Sequence, residues 1–160
     1  MIFVTVGSQK FQFNRLLMKV DELVKKHLIE DKVFAQIGVC TYKPQYYEYV
    51  DFIDADHFSK LEDKMDIMIT HGGTGAIVSA VKRRKKVIAV PRLKKYGEHI
   101  DDHQIQILRE FERMRIIKAC YELNDLEKIY KEIQEADMIP YHSNTMNIIR
   151  SIESFLAEER

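Results

Sequence analysis

Short, uninterrupted apolar runs recur along this chain, with stretches of helical spacing between them. Ile2 to Val6 runs β-rich up to Gly7, after which Leu16, Leu17, Val20, Leu23, Val24 and Leu28 return on one helical face. Val33 to Ile37 is a second apolar run, Tyr46 to Phe52 a third, and Asp66 to Thr70 a fourth that stops at His71-Gly72-Gly73. A helical segment follows from Ala76 to Lys82, then a fifth strand from Lys86 to Val90, closed by Pro91. Ile105, Leu108 and Phe111 share a helical face, and Arg115 to Ala119 reads as a sixth strand. Two more helices are predicted, Leu126 to Ala136 with Asn124 or Asp125 as N-cap and Thr145 to Ala157 behind Asn144, separated by Pro140. Strands that lack polar alternation are covered on both faces. The pattern therefore predicts an α/β fold, a Rossmann-like doubly wound parallel sheet.

Length and composition narrow the rest. A chain of 160 residues with 46% hydrophobic and 31% charged residues is expected to form a single domain over 1–160 with a real core. Lysine plus arginine equals aspartate plus glutamate at 25 each, so no net field argues for nucleic acid as a partner. Cys40 and Cys120 stand alone, without the spacing of a disulfide framework or a zinc site. Those isolated cysteines make a reducing cytoplasm the expectation, and the apolar stretch at the N-terminus is too short for a span or a signal peptide, so any membrane contact is expected to be peripheral or borrowed through a partner.

In doubly wound sheets ligands sit beyond the carboxyl ends of the strands, so chemistry is sought in the loops after the first, fourth and fifth strands. The strongest candidate is His71-Gly72-Gly73-Thr74-Gly75. Its glycines let the backbone approach a ligand, and the helix that follows offers unpaired N–H groups to an anion such as a diphosphate. No Gly-Lys-Ser/Thr follows and the GxGxxG spacing is missing, which makes ATP and NAD poorer ligands for it. A purely structural turn explains the glycines equally well, but gains nothing from the hydroxyl of Thr74 and the imidazole of His71. The second cluster runs from Tyr96 to Gln104; for Asp101 and Asp102 a helix cap in a solvated loop explains the residue as well as a ligand role does, and His103 and Gln104 are the better ligand candidates. Gly7 and Ser8 follow the first strand at the same sheet edge. The basic run Lys82 to Lys86 reads as a solvated helix end, Tyr42, Tyr46, Tyr47 and Tyr49 are given no ligand role, and His27, His57 and His142 are read as structural or surface residues.

Val4-Thr5-Val6-Gly7-Ser8, Gln36-Ile37-Gly38, His71 to Gly75 and Asp102-His103-Gln104 together resemble the C-terminal, donor-binding half of family 28 glycosyltransferases, over nearly the whole chain. That resemblance implies one half of a GT-B fold. In size and layout the chain is similar to the catalytic subunit of two-part polyprenyl-diphosphate-sugar transferases, with relatives in capsule and exopolysaccharide synthesis. The resemblance implies that His71 to Gly75 hold the diphosphate of a UDP-sugar, that His103 and Gln104 contact the donor sugar, and that the backbone around Ile53 reads uracil. It implies an inverting transfer without metal or other cofactor, in which a membrane-anchored subunit presents a polyprenyl-diphosphate-linked sugar acceptor at the inner face of the membrane. One departure stands out: many relatives carry a ribose-binding carboxylate four residues after the last loop glycine, where this chain has Ser79. Two rival readings are a non-catalytic nucleotide-sugar-binding module and, ranked last, an epimerase.

Overall fold

In the structure, a computed structural model that describes residues 1–142, six strands form one sheet. They are β1 (Ile2–Thr5), β2 (Val33–Gln36), β3 (Glu48–Val50), β4 (Ile67–His71), β5 (Lys86–Val90) and β6 (Lys118–Ala119). Every pairing is parallel and the order is β3-β2-β1-β4-β5-β6. The chain therefore reverses its direction of travel across the sheet between β1 and β4, the point where a doubly wound sheet opens a crevice. The expected fold class holds. The predicted helix Thr145–Ala157, with its apolar face of Ile148, Ile149, Ile152, Phe155 and Leu156, falls outside the described residues.

Among the described residues five α-helices cover the sheet: α1 (Asn14–Lys25), α2 (Ala55–Lys64), α3 (Thr74–Lys82), α4 (His103–Arg113) and α5 (Leu126–Glu135). Successive strand residues point to opposite faces, and the core divides accordingly. Ile2, Val4, Ile67, Ile69, Ile88 and Val90 pack with α1 and α5, through Leu16, Leu17, Val20, Leu126, Tyr130 and Ile133. Phe3, Met68, Val87 and Ala89 pack on the other face with Ile77, Ala80 and Val81 of α3 and Leu108 of α4. Both faces of β1, β4 and β5 are thus occupied, which is why their sequences run apolar without alternation. Each fully buried Ile, Leu or Phe of this core contributes about 1.5–3 kcal/mol.

Three local differences from the sequence expectation have physical causes. Strand β3 is shorter than the Tyr46–Phe52 run because its flanking tyrosines are engaged with α1. Tyr46 N donates to Asp21, the Tyr47 hydroxyl donates to Leu17 O, and the Tyr42 hydroxyl donates to the buried Asp21 carboxylate at 2.6 Å. Strand β6 begins only at Lys118, since Arg115 takes a left-handed φ of 58° and Ile116 N bonds back to Phe111 O, closing α4. Helix α2 has no bounds in the sequence expectation, which places only His57 in or beside a helical segment. Asp54 caps it by accepting from His57 N at 2.9 Å, and Phe58 and Leu61 pack against the Phe3 side of the core. Among the described residues no helix is long and apolar enough to cross a membrane.

Candidate functional site

The carboxyl ends of β1 and β4 lie level, with Thr5 opposite Thr70, and Thr70 pairs in turn with Ala89 of β5. The loops after these three strands consequently rise from one edge and, with α2, enclose a cleft of about 800 Å³. All ten residues singled out from the sequence line it: Gly7, Ser8, Ile53, His71, Gly72, Gly73, Thr74, Gly75, His103 and Gln104.

Helix α3 opens onto this cleft with Gly73 at its N-cap, so no side chain caps it. The first bond inside the helix runs from Ile77 N to Gly73 O, leaving the N–H groups of Thr74, Gly75 and Ala76 without helical acceptors. Those amides and the positive end of the helix dipole face the cleft, an arrangement suited to an anion.

The glycines around that helix start serve different neighbours. A β-carbon on Gly73 would sit 2.2 Å from His71 Nε2, and one on Gly7, whose φ is 76°, would sit 2.6 Å from His71 Cε1. Both positions are therefore glycine because the His71 imidazole lies between them. A β-carbon on Gly72 would meet Gln104 at 2.8 Å, whereas one on Gly75 meets nothing within 4 Å. Of the three glycines in the loop, only Gly75 leaves its space to the cleft.

Gln104 is 3% exposed, and its Oε1 accepts from both Gly72 N at 3.1 Å and Arg92 N at 2.9 Å. It ties the loop after β4 to the loop after β5. Among the described residues nothing accepts from its Nε2. His103 is half-exposed at the first position of α4; its ring and backbone N–H both meet the Asp101 carboxylate, while the N-cap residue Asp102 makes no side-chain cap bond and its carboxylate instead accepts from Lys94 N at 2.7 Å. His99, Asp101 and His103 hold three ligand atoms within 4.8 Å, a spacing that suits a borderline divalent cation, although the carboxylate is already engaged with the helix start.

Sequence reasoning missed several residues of the cleft. Phe58, Ser59 and Glu62 arrive on α2, and a Phe58, Leu61, Met65 periodicity was the available signal. Arg83, one of the basic run, turns into the cleft and pairs with Glu62 at 3.1 Å, while Lys85 and Lys86 donate to backbone carbonyls of Asp63 and Gln134. Arg92 is wholly buried: Nη1 donates to Phe11 O, Gln12 O and Glu98 O, and Nη2 to Val6 O. Nothing local in the sequence separates it from a surface arginine.

A parallel 3-2-1-4-5-6 sheet with an uncapped helix start in its crevice defines a doubly wound α/β domain. The chain belongs to the glycosyltransferase family 28 C-terminal domain family, which matches residues 1–158. It is 30% identical over 132 residues to the UDP-N-acetylglucosamine transferase subunit ALG13 of Candida glabrata, covering 79% of this chain and 61% of that protein. It is 25% identical over 91 residues to the subunit of the same name from Candida albicans, covering 57% and 29%. The chain thus spans less than two-thirds of either relative. Among solved structures, the solution structure of ALG13 superposes with a TM-score of 0.61 at 17% identity, covering 89% of both chains. The glycosyltransferase SnogD from Streptomyces nogalater gives 0.57 at 18% identity, covering 84% of this chain and 34% of that one. These likenesses agree with one half of a GT-B architecture.

The electrostatics of the cleft centre on His71. Burial holds its imidazole at a pKa of about 4, down from the usual 6.5, and the nearby Arg92 charge acts in the same direction. The ring is neutral at pH 7, with Nδ1 3.3 Å from Thr70 Oγ1. The unfolded chain takes up this proton near 6.5 and the folded chain only near 4. The contribution to stability is therefore complete above 6.5 and is lost as pH falls through 4, roughly 3 kcal/mol in all. Urea unfolding at pH 7 and pH 4 should show that loss in the wild type and not in His71→Gln; an equal loss in both would refute it.

Proposed function

We propose that this chain is the donor-binding subunit of a UDP-sugar-dependent glycosyltransferase. The observation that carries the reading is the uncapped start of α3, whose three free amides face the cleft beside the one loop glycine with open space before it. A diphosphate bound there receives backbone N–H donors and the helix dipole without needing a lysine or a metal. The ALG13 relatives, named as UDP-N-acetylglucosamine transferase subunits, support UDP as the nucleotide and a second subunit as partner.

In this reading the acceptor hydroxyl attacks the anomeric carbon from the face opposite the nucleotide, inverting the configuration, and the bond to the diphosphate breaks. Negative charge grows on the leaving diphosphate in the transition state, and the preorganised amides of α3 stabilise it there. His103, half-exposed on the cleft wall, and the free Nε2 of Gln104 contact the donor sugar. His71 is too weak a base to take the acceptor proton and instead shapes the loop between Gly7 and Gly73. The proton goes to a base on the partner, a membrane-anchored subunit that presents a polyprenyl-diphosphate-linked sugar in capsule or exopolysaccharide synthesis at the cytoplasmic face. The transfer needs no metal, so a chelator should leave its rate unchanged; loss on chelation restored by a divalent ion would instead point to His99, Asp101 and His103.

A second reading, a nucleotide-sugar-binding module without chemistry of its own, draws on Gln104, whose Oε1 is spent on two backbone amides. His103→Ala separates the two in membranes that carry the partner. A catalytic subunit loses transfer by about tenfold or more at saturating donor, whereas a module changes only its affinity for the partner.

Calorimetric titration with UDP, ADP and UDP-sugars tests the donor site directly. Because the space before Gly75 is open, Gly75→Val keeps the fold while filling the diphosphate position. Selective UDP binding that weakens by about a hundredfold or more in the variant is expected, since several charge-assisted hydrogen bonds are lost together; affinity equal to wild type would end the assignment.

A further inference from the structure

Helices α2 and α3 face each other across the cleft through a net of four polar side chains. Ser59 Oγ receives Arg83 Nη2 at 2.8 Å, Arg83 Nε lies 3.1 Å from Glu62 Oε2, and Ser79 Oγ donates to that same oxygen at 2.8 Å. All four residues line the cleft. Glu62 is 1% exposed, yet among the described residues its second oxygen, Oε1, has no hydrogen-bond partner. A buried carboxylate oxygen without a donor is unfavourable, and native structures seldom keep one without a use. Arg83 pairs with Oε2 while sharing its guanidinium with Asp63, and Ser79 donates to Oε2 as well, so the unmet capacity of this carboxylate lies at Oε1.

Position says which donor. Gly75, Ser79 and Arg83 follow one another at intervals of four and form a stripe along α3 that lines the cleft. Ser79 lies five residues beyond the first residue of α3, about 7.5 Å along its axis from the anion-accepting end. On the facing helix, Phe58 lies one turn before Glu62, and Ile53 and Ala55 continue the lining toward the start of α2. A nucleotide held by its diphosphate at Gly75 and running toward Ile53 passes its pentose over Ser79 and Glu62. A pentose diol offers two neighbouring hydroxyl donors, and the unpartnered Oε1 has two lone pairs to accept them.

We propose that Glu62 receives the ribose hydroxyls of the donor nucleotide, so that a residue on α2 sets the requirement for a ribose. The assignment rests on the donor reading above, and the test keeps the two apart. Calorimetry compares UDP with 2′,3′-dideoxy-UDP on the full chain, its Glu62→Gln variant and its Ser79→Ala variant. The wild type should prefer UDP by about tenfold or more, two neutral hydroxyl bonds to a charged acceptor being lost in the dideoxy ligand. Glu62→Gln should lose most of that preference while binding dideoxy-UDP as the wild type does, which also shows that the variant is folded. Ser79→Ala should keep the preference. Wild-type protein that binds both ligands equally, a Glu62→Gln variant that still discriminates, or a preference that vanishes with Ser79→Ala would overturn the role of Glu62 and leave the donor reading standing. Wild-type protein that binds neither ligand would overturn both.

Discussion

The cleft exists because three loops from one sheet edge are fastened to each other by two buried side chains. Arg92, at the end of β5, reaches under the loop after β1 and gives its guanidinium hydrogens to carbonyls of Val6, Phe11 and Gln12, and to Glu98 O in its own loop. Gln104, at the start of α4, returns one oxygen to two amides, those of Gly72 and Arg92. Hydrogen bonds from a charged donor in a low-dielectric interior are strong, and stranding their acceptors is costly. The loops after β1, β4 and β5 therefore hold one arrangement, and the start of α3 is presented in a fixed place.

Within that frame, most of the glycine-rich loop answers to the protein's own side chains. His71 turns its neutral ring into the space between Gly7 and Gly73, and Gln104 fills the space beside Gly72. Only Gly75 opens outward. A loop that looks like a uniform phosphate cradle is thus a rigid support with a single opening at the helix dipole. Such rigidity suits electrostatic stabilisation of a leaving group, because donors already in place need no reorganisation as charge develops.

Helix α2 supplies the opposite wall and gives the cleft a direction. Polar residues of α2 and α3 meet near Glu62, whereas Ile53 and Phe58 lie toward the start of α2. An elongated ligand with an anionic end, a hydroxylated middle and a planar apolar end matches that order. Membership in the glycosyltransferase family 28 C-terminal domain family agrees with such a ligand.

The order of elements was legible because parallel strands buried on both faces run apolar without alternation, as Ile2–Val4, Ile67–Ile69 and Val87–Val90 do. The helix start after the fourth strand was legible for a similar reason, since three glycines beside Thr74 mark where backbone approaches something closely. Other features were not local. Strands β3 and β6 were drawn too long because edge pairing depends on what the neighbouring loops do, here the tyrosines on α1 and the left-handed turn at Arg115. Helix α2 lacked bounds because its short face, Phe58 and Leu61, lies among charged residues. The sequence by itself determined the fold class and which loops line the cleft, both set by patterns within a few residues of each other. Only the tertiary structure decided which glycine faces the cleft, why Arg92 is buried, and that Glu62 stands against Ser79, because these depend on where side chains meet in space: the His71 ring turns back between Gly7 and Gly73, Glu62 and Ser79 are 17 positions apart, and Arg92 and Val6 are 86 apart.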